Sequence, residues 1–442
     1  MSFVAEHNVS FKSWNQAVEK IPLKSFLSFS RNQSHFCLLD SNQYFSEDKS
    51  GLNKYKMLAA WGCLDEIKPH RNALHEMDRF VKKNASRWIF GFITYELKNE
   101  IENLQSLNED NIKAPILHFF VPEFVYVEDG ISSNIICQSS KVLDAGAVLS
   151  AIYNSEWKKT TFKSKLNLSG RISKADYITQ FEKIKKHIQR GDVYELNYCQ
   201  EFFAENVSVQ PEILYFNLNR ISPSPMSCFY KSDDLFLMSS SPERFLAKRG
   251  DKIYSQPMKG TMPRGSDANH DLMLSKKLFH DEKERSENVM IVDLVRNDLS
   301  RIAQRGTVCV EELFGVYSYS HVHQMVSTVS CRLKENTGFA EILKATFPMG
   351  SMTGAPKIRA MQLIEDFETA RRGLYSGSVG YISPCGNFDF NVVIRSLIFN
   401  HHEKYLSAMT GSAITAKSDA ETEYNECRLK AVAMEKALNL NA

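Results

Sequence analysis

The sequence predicts an α+β fold built on large, mainly antiparallel β-sheets. Strand-like and helix-like runs both occur, but they do not alternate as regular βαβ repeats. Strand signals cluster at 195–203, 226–231 and 235–239, and two more strongly patterned strands follow at 388–399 and 405–410. Before them, Phe36-Cys37-Leu38-Leu39 and Ile89-Phe90-Gly91-Phe92-Ile93 read as short buried strands. A helix is expected from Lys174 to about Arg190, because Tyr177, Phe181, Ile184 and Ile188 recur at helical spacing and Gly191 closes it. A long helix is expected at about 274–302 and a last one at 420–438.

The 442 residues leave room for up to three domains at about 150 residues each. Two regions are expected: an N-terminal one at 1–140 and a catalytic one at 170–442. A connection at 142–169 carries Lys158, Lys159, Lys163 and Lys165. All four tryptophans lie in the first 157 residues, while the densest glycine and charge motifs follow Lys259. Hydrophobic residues make up 43% and charged residues 24%, which excludes a disordered, collagen-like or coiled-coil chain. Lys and Arg total 54 against 52 Asp and Glu, a net charge of +2, so no global field recruits nucleic acid or an anionic membrane. The first residues, Met1 to Trp14, hold no apolar run of signal-peptide type, and no stretch approaches the roughly 18–20 apolar residues of a membrane span. Nine scattered cysteines without a CxxC pair point to free thiols in a reducing, cytoplasmic setting.

Four features carry chemistry. Glu284 and Glu287 form one ExxE pair in the long helix, and Glu423 and Glu426 form another in the last. Positions i and i+3 share a helical face. Four carboxylates from two facing helices would make a hard, oxygen-rich site suited to Mg²⁺. A solvated acidic face is the alternative, but the first pair runs into the almost wholly apolar 289–294. Second, the small-residue loop 349–355 leads into Pro356, expected at a first helical position, where free N–H groups could meet an anion and Thr353 could add a hydroxyl. Third, Arg395 sits in the apolar run 390–399 and needs a carboxylate, from the protein or from a substrate. Gly411-Ser412-Ala413 follows the next strand, where small residues let a ligand approach the backbone. Fourth, Lys259 lies in Pro257-Met258-Lys259-Gly260-Thr261; it is either a surface lysine or, if desolvated, a nucleophile or base.

Six stretches in collinear order, over about 170–440, resemble the chorismate-utilising enzymes, specifically the large subunits of anthranilate synthase and aminodeoxychorismate synthase. They are Ser241-Pro242-Glu243-Arg244-Phe245, Pro257-Met258-Lys259-Gly260-Thr261, the run 291–299, His323-Gln324-Met325-Val326-Ser327, Thr353-Gly354-Ala355-Pro356-Lys357 and the segment 423–426. The resemblance implies the anthranilate synthase component I-like fold, with the sheets packed as a sandwich and helices outside. It implies Mg²⁺ between Glu287 and Glu426, touched directly or through water by Glu284 and Glu423. Arg395, Tyr375 and the backbone at Gly411 would hold the enolpyruvyl carboxylate of chorismate. Glu243 would be the acid for the departing hydroxyl, Thr353 and His323 would line the pocket, and Lys259 would add covalently at C2.

Within the family, the proline–apolar–Lys–Gly–Thr motif resembles the aminodeoxychorismate branch, which makes 4-amino-4-deoxychorismate for 4-aminobenzoate and folate. The anthranilate branch, which usually carries a small residue where Lys259 stands, is the alternative. Members that activate water carry a lysine where Glu195 stands here; amine-using members usually carry Gln, so Glu195 departs from both. No amidotransferase nucleophile motif is present, so the resemblance implies ammonia from a separate glutamine amidotransferase subunit. Leu38-Leu39-Asp40-Ser41 and the run 219–226 resemble segments that frame a tryptophan pocket in the family, with Asp40 replacing the usual Glu.

Overall fold

Strand Met57–Trp61 shows how the fold uses its apolar runs. Side chains alternate between faces along a strand. Leu58 and Ala60 enter one core cluster, and Ala59 and Trp61 enter another. Both faces are therefore covered, so the strand reads as a continuous apolar run and not as an alternating one. The computed structural model describes residues 14–46, 48, 50–140, 145–157 and 166–440. The residues before Trp14 and the four lysines of the expected connection lie outside the described residues.

Among the described residues the strands form a 12-stranded and a 10-stranded sheet. Neighbouring strands pair antiparallel throughout. The α+β prediction therefore holds. The largest core lies between the sheets, joining Ala60, Tyr230 and Leu237 of one to Phe92, Phe119 and Phe390 of the other. A second core packs the outer face of the 12-stranded sheet under helices Leu23–Ser30, Pro211–Ile221 and Ala420–Leu438. Both sheets draw strands from both ends of the chain. His35–Asp40 pairs with Met226–Ser232, and Ile89–Ile93 pairs with Ser378–Ile382. The stretch 142–169 contains a helix, Ala145–Tyr153, and Trp157 packs edge-on against Phe216. No helix among the described residues is long and apolar enough to cross a membrane.

Three local expectations are corrected. The long helix at 274–302 is two helices, Ala268–His280 and Glu282–Ser300. Asp281 breaks it: its backbone is extended and its side chain accepts from the Glu284 N–H at 3.0 Å, because Asp caps a new N-terminus better than it continues a helix. The strand at 388–399 is also two, Phe388–Asn391 and Ser396–Asn400, one in each sheet. The chain crosses the sandwich between them, and Arg395 takes a positive φ of 50° on the way. Pro356 is the extended residue before helix Lys357–Phe367, not its first helical residue.

One buried cation ties the loops around the second strand group together. Arg372 is 3% exposed. Its guanidinium donates to both oxygens of Glu368, at 2.9 and 2.6 Å, to the Met352 carbonyl at 2.6 Å, to the Asn197 carbonyl at 2.9 Å and to Ser376 Oγ at 3.2 Å. Removing one partner of a buried pair strands the other charge, at about 3–5 kcal/mol. Arg372→Met is expected to lose stability of that size in urea denaturation at neutral pH; an unshifted midpoint would show that the guanidinium is dispensable.

Candidate active site

The helix starting at Glu282 and the helix Ala420–Leu438 both begin on an aspartate cap and carry a carboxylate pair over their first two turns. Asp281 accepts from Glu284 N–H, and Asp419 accepts from Thr422 N–H. The positive end of each helix dipole offsets part of the repulsion that such pairs create. Glu284, Glu287 and Glu423 are all pushed up by burial, Glu287 to about 7. Burial also acts on Glu426, but Lys430 pairs with it at 2.7 Å and holds it below the usual range. The four carboxylates feel one another across the two helices: Glu426 raises both Glu284 and Glu423. Their oxygens do not close to the spacing of a single ion's shell; among the described residues only His35, Cys63 and Glu66 do. An all-oxygen set of this kind fits Mg²⁺, which takes one or two carboxylates and fills its octahedron with waters and substrate oxygens.

Lys259 projects into the same region from the strand Met258–Pro263. That strand carries a bulge: Met258 pairs with Val326 and Thr261 with Gln324, so three steps on one strand meet two on the other. The extra residue re-aims the side chain. Gly260 makes the bulge possible, with φ of +92°, and a Cβ there would lie 3.1 Å from Glu284 Cβ and Oε2. Lys259 Nζ donates to Glu195 Oε1 at 2.7 Å. Burial works against its charge, but Glu195, Glu287 and Glu426 outweigh that and hold it well above the usual lysine range. The lysine is therefore desolvated, as one sequence reading required, and it is held as an ammonium.

Glu243 lies in the short turn between Leu235–Ser241 and Arg244–Arg249. It is buried, and burial raises its carboxyl to about 7 despite a 2.6 Å hydrogen bond from Ser351 Oγ and the field of Lys259. A carboxyl neutral near pH 7 can donate a proton.

Arg395 is partly buried and forms no ion pair among the described residues. Burial weakens its charge, and Tyr319 and Glu243 support it. That removes the protein-carboxylate alternative at ion-pairing distance and leaves the guanidinium open. Tyr375 and Gly411 meet at Cys199. Cys199 Sγ donates to the Tyr375 hydroxyl at 3.9 Å, and a Cβ on Gly411 would come within 2.5 Å of Cys199 Sγ and Asn197 Oδ1. Gly411 also lends its carbonyl to Lys430 Nζ at 2.7 Å.

Two other residues are placed differently from this group. Thr353 is fully buried, and its hydroxyl donates to the Met349 and Gly350 carbonyls, closing its own turn. The ring nitrogens of His323 are both engaged, Nδ1 with Ser318 Oγ at 2.9 Å and Nε2 with Asp271 at 2.9 Å. The helix start at Lys357 is also occupied: its side chain reaches Asp298 at 2.5 Å. The segments at Asp40 and 219–226 do meet. Asn42 donates to Asn219 Oδ1 and the Ser224 carbonyl, and a small cavity of about 40 Å³ opens beside them, lined by Asp40, Ser41, Pro225, Met226 and Arg244 among others.

Sequence reasoning left Glu195 without a role and gave Ser351 and Lys430 none. Glu195 and Lys259 are 64 positions apart, so only the fold brings them together.

Aminodeoxychorismate synthase component 1 of Bacillus subtilis (strain 168) is 32% identical over 366 residues, covering 79% of this chain and 77% of that protein. Anthranilate synthase component 1 of Acetivibrio thermocellus is 33% identical over 369 residues, covering 79% and 74%. The crystal structure of anthranilate synthase component I from Streptococcus pneumoniae TIGR4 matches with a TM-score of 0.73 at 25% identity, over 98% of this chain and 97% of that one. The profile of the chorismate binding enzymes spans residues 34–436, including the N-terminal strands as well as the six motifs, and the chain belongs to that family.

Proposed function

We propose that this chain is an aminodeoxychorismate synthase component 1, an enzyme that aminates chorismate to 4-amino-4-deoxychorismate. The observation that carries this reading is Lys259, aimed by a bulge into a buried set of carboxylates with a neutral acid, Glu243, close by. Relatives with that name support it, and relatives named anthranilate synthase component 1 supply the second reading.

The residues divide the work as follows. Arg395, with Tyr375 and the backbone at Gly411, holds the enolpyruvyl carboxylate; an open guanidinium is suited to bidentate carboxylate binding. Glu284, Glu287, Glu423 and Glu426 hold Mg²⁺, which when bound supplies positive charge to the ring carboxylate and favours loss of the C4 hydroxyl. Lys259 attacks C2 through Nζ, the ring double bonds shift, and the C4–O bond breaks. Glu243 gives its proton to the departing hydroxyl, which leaves as water. Ammonia then attacks C4, the double bonds shift back, and the C2–N bond breaks with its electron pair returning to Lys259. The enolpyruvyl ether is untouched. Thr353 and His323 shape the walls through the contacts described above. Ammonia comes from a separate glutamine amidotransferase subunit, in keeping with the word component in the relatives' names. Nine free thiols suit a reducing, cytoplasmic setting.

Product analysis with chorismate, Mg²⁺ and ammonium tests the reaction. Chorismate is expected to disappear without pyruvate, giving the amino compound by mass; pyruvate with fluorescent anthranilate would establish the second reading. Glu426→Gln is expected to abolish Mg²⁺-dependent turnover with the fold intact, and full activity would remove the metal role.

Glu243 gives a pH prediction. Its folded pKa of about 7 lies above the ordinary value of 4.5, so between those limits the folded chain holds the extra proton. Stability from this group is full below 4.5 and falls as pH rises through 7. Glu243→Gln is therefore expected to flatten the decline of unfolding free energy over that interval by up to about 1.4 kcal/mol per pH unit. Parallel curves for the two proteins would contradict the raised carboxyl.

A further inference from the structure

The proposed chemistry needs a neutral amine at Lys259, yet the site holds an ammonium. The charged groups facing Nζ are Glu195 from the strand Glu195–Ala204, Glu284 and Glu287 from the helix Glu282–Ser300, Glu426 from the last helix and Glu243 from its turn. Glu195 alone lies within ion-pairing distance of Nζ among the described residues, at 2.7 Å. It is 1% exposed, and its second oxygen, Oε2, is buried with no hydrogen-bond partner. A buried carboxylate oxygen left unpaired costs free energy and calls for an explanation. Glu195 belongs neither to the two acidic pairs nor to the substrate-carboxylate group.

We propose that Glu195 is a catalytic residue: the base that takes the Lys259 proton before attack and returns it after release. This rests on the reading of Lys259 as the attacking amine. The Lys259 ammonium and the Glu195 carboxylate become an amine and a carboxylic acid by transfer of one proton along the existing hydrogen bond. The amine's lone pair forms the bond to C2, and the C4–O electrons leave with the hydroxyl and the Glu243 proton as water. Displacement by ammonia at C4 returns the electron pair to Lys259, leaving a neutral amine. Glu195 then gives the proton back and the pair is restored. The product departs with the new amine as an ammonium, and Glu243 recovers its proton from solvent. The sum is chorismate and ammonium to aminodeoxychorismate and water, with no external oxidant or reductant.

Glu195→Gln keeps the shape and the hydrogen-bond acceptor but cannot take the proton. With ammonium as donor, kcat is expected to fall about 100-fold or more, while KM for chorismate stays within about threefold. Lys259 loses its closest carboxylate in that variant, so its neutral fraction, and with it kcat, is expected to climb about tenfold per pH unit in alkali, a slope the parent protein lacks. Glu195→Asp is expected to recover part of kcat and to remove that slope. Wild-type kcat and pH profile in Glu195→Gln overturn the proposal. A loss that neither alkaline pH nor Glu195→Asp recovers overturns it too, since that marks a structural role. Lys259→Ala separates the two readings: if it keeps the parent rate and product, the covalent role of Lys259 fails; if it is inactive while Glu195→Gln is normal, only the role of Glu195 fails.

Discussion

Arg372 is the constraint on which the arrangement of the site depends. A guanidinium has five N–H donors in one plane, and here all five are used inside the protein. Its acceptors come from separate parts of the chain: the strand that carries Glu195, the turn that ends in Thr353, the carboxylate of Glu368 and the serine beside Tyr375. Glu368 in turn accepts the Cys199 N–H at 2.9 Å, and Cys199 is where Tyr375 and Gly411 meet. A lysine could not replace Arg372, because three donors on a point charge cannot reach five acceptors spread over a plane. The cation bonds neither Lys259 nor the acidic pairs, yet it fixes the strand of Glu195 against the turn before Thr353.

The second constraint is electrostatic. Glu195, Glu284, Glu287 and Glu426 face Lys259, Glu423 acts on Glu426 beside them, and all but Glu426 are buried or partly buried. Burial first, and like charge second, raise three of these carboxyls: Glu284, Glu287 and Glu423. The two helix N-termini and Lys259 relieve part of the excess, and Lys430 pairs with Glu426. A divalent cation would relieve the rest. The carboxylates proposed to hold it and the carboxylate that binds Lys259 are different groups, so metal and lysine would not compete for one ligand.

Much of this was legible from single residues, where local physics decides. Apolar spacing and Gly191 located the helix Lys174–Gln189 almost to the residue, since amphipathic period and C-terminal glycine are both local properties. The acidic pairs were legible because i, i+3 spacing survives any tertiary arrangement. The failures have a different origin. Asp281 lies within a helical pattern, and only the change in chain direction reveals it as a cap. The break near Arg395 follows from strands on either side belonging to different sheets, which no window of sequence records. The Glu195–Lys259 pair joins residues 64 positions apart on strands of different sheets. Family resemblance pointed at Lys259, but its charge state came from groups on three other elements.

Those groups explain why a lysine at position 259 comes with glycine after it. The bulge turns the side chain at 259 toward Glu195 and requires positive φ at 260, where a Cβ would press on Glu284. The same backbone feature thus aims the amine and makes room for the neighbouring carboxylate. A smaller residue at 259 would leave Glu195 buried with neither oxygen paired, a loss of about 1–3 kcal/mol or more for a charged group. Lysine at 259 and a carboxylate at 195 are therefore coupled in this chain: either change alone strands a buried charge. The carboxylate at 195 is in this chain the partner of a lysine held as an ion pair, and it ties the charge state of Lys259 to the penultimate strand of the 12-stranded sheet.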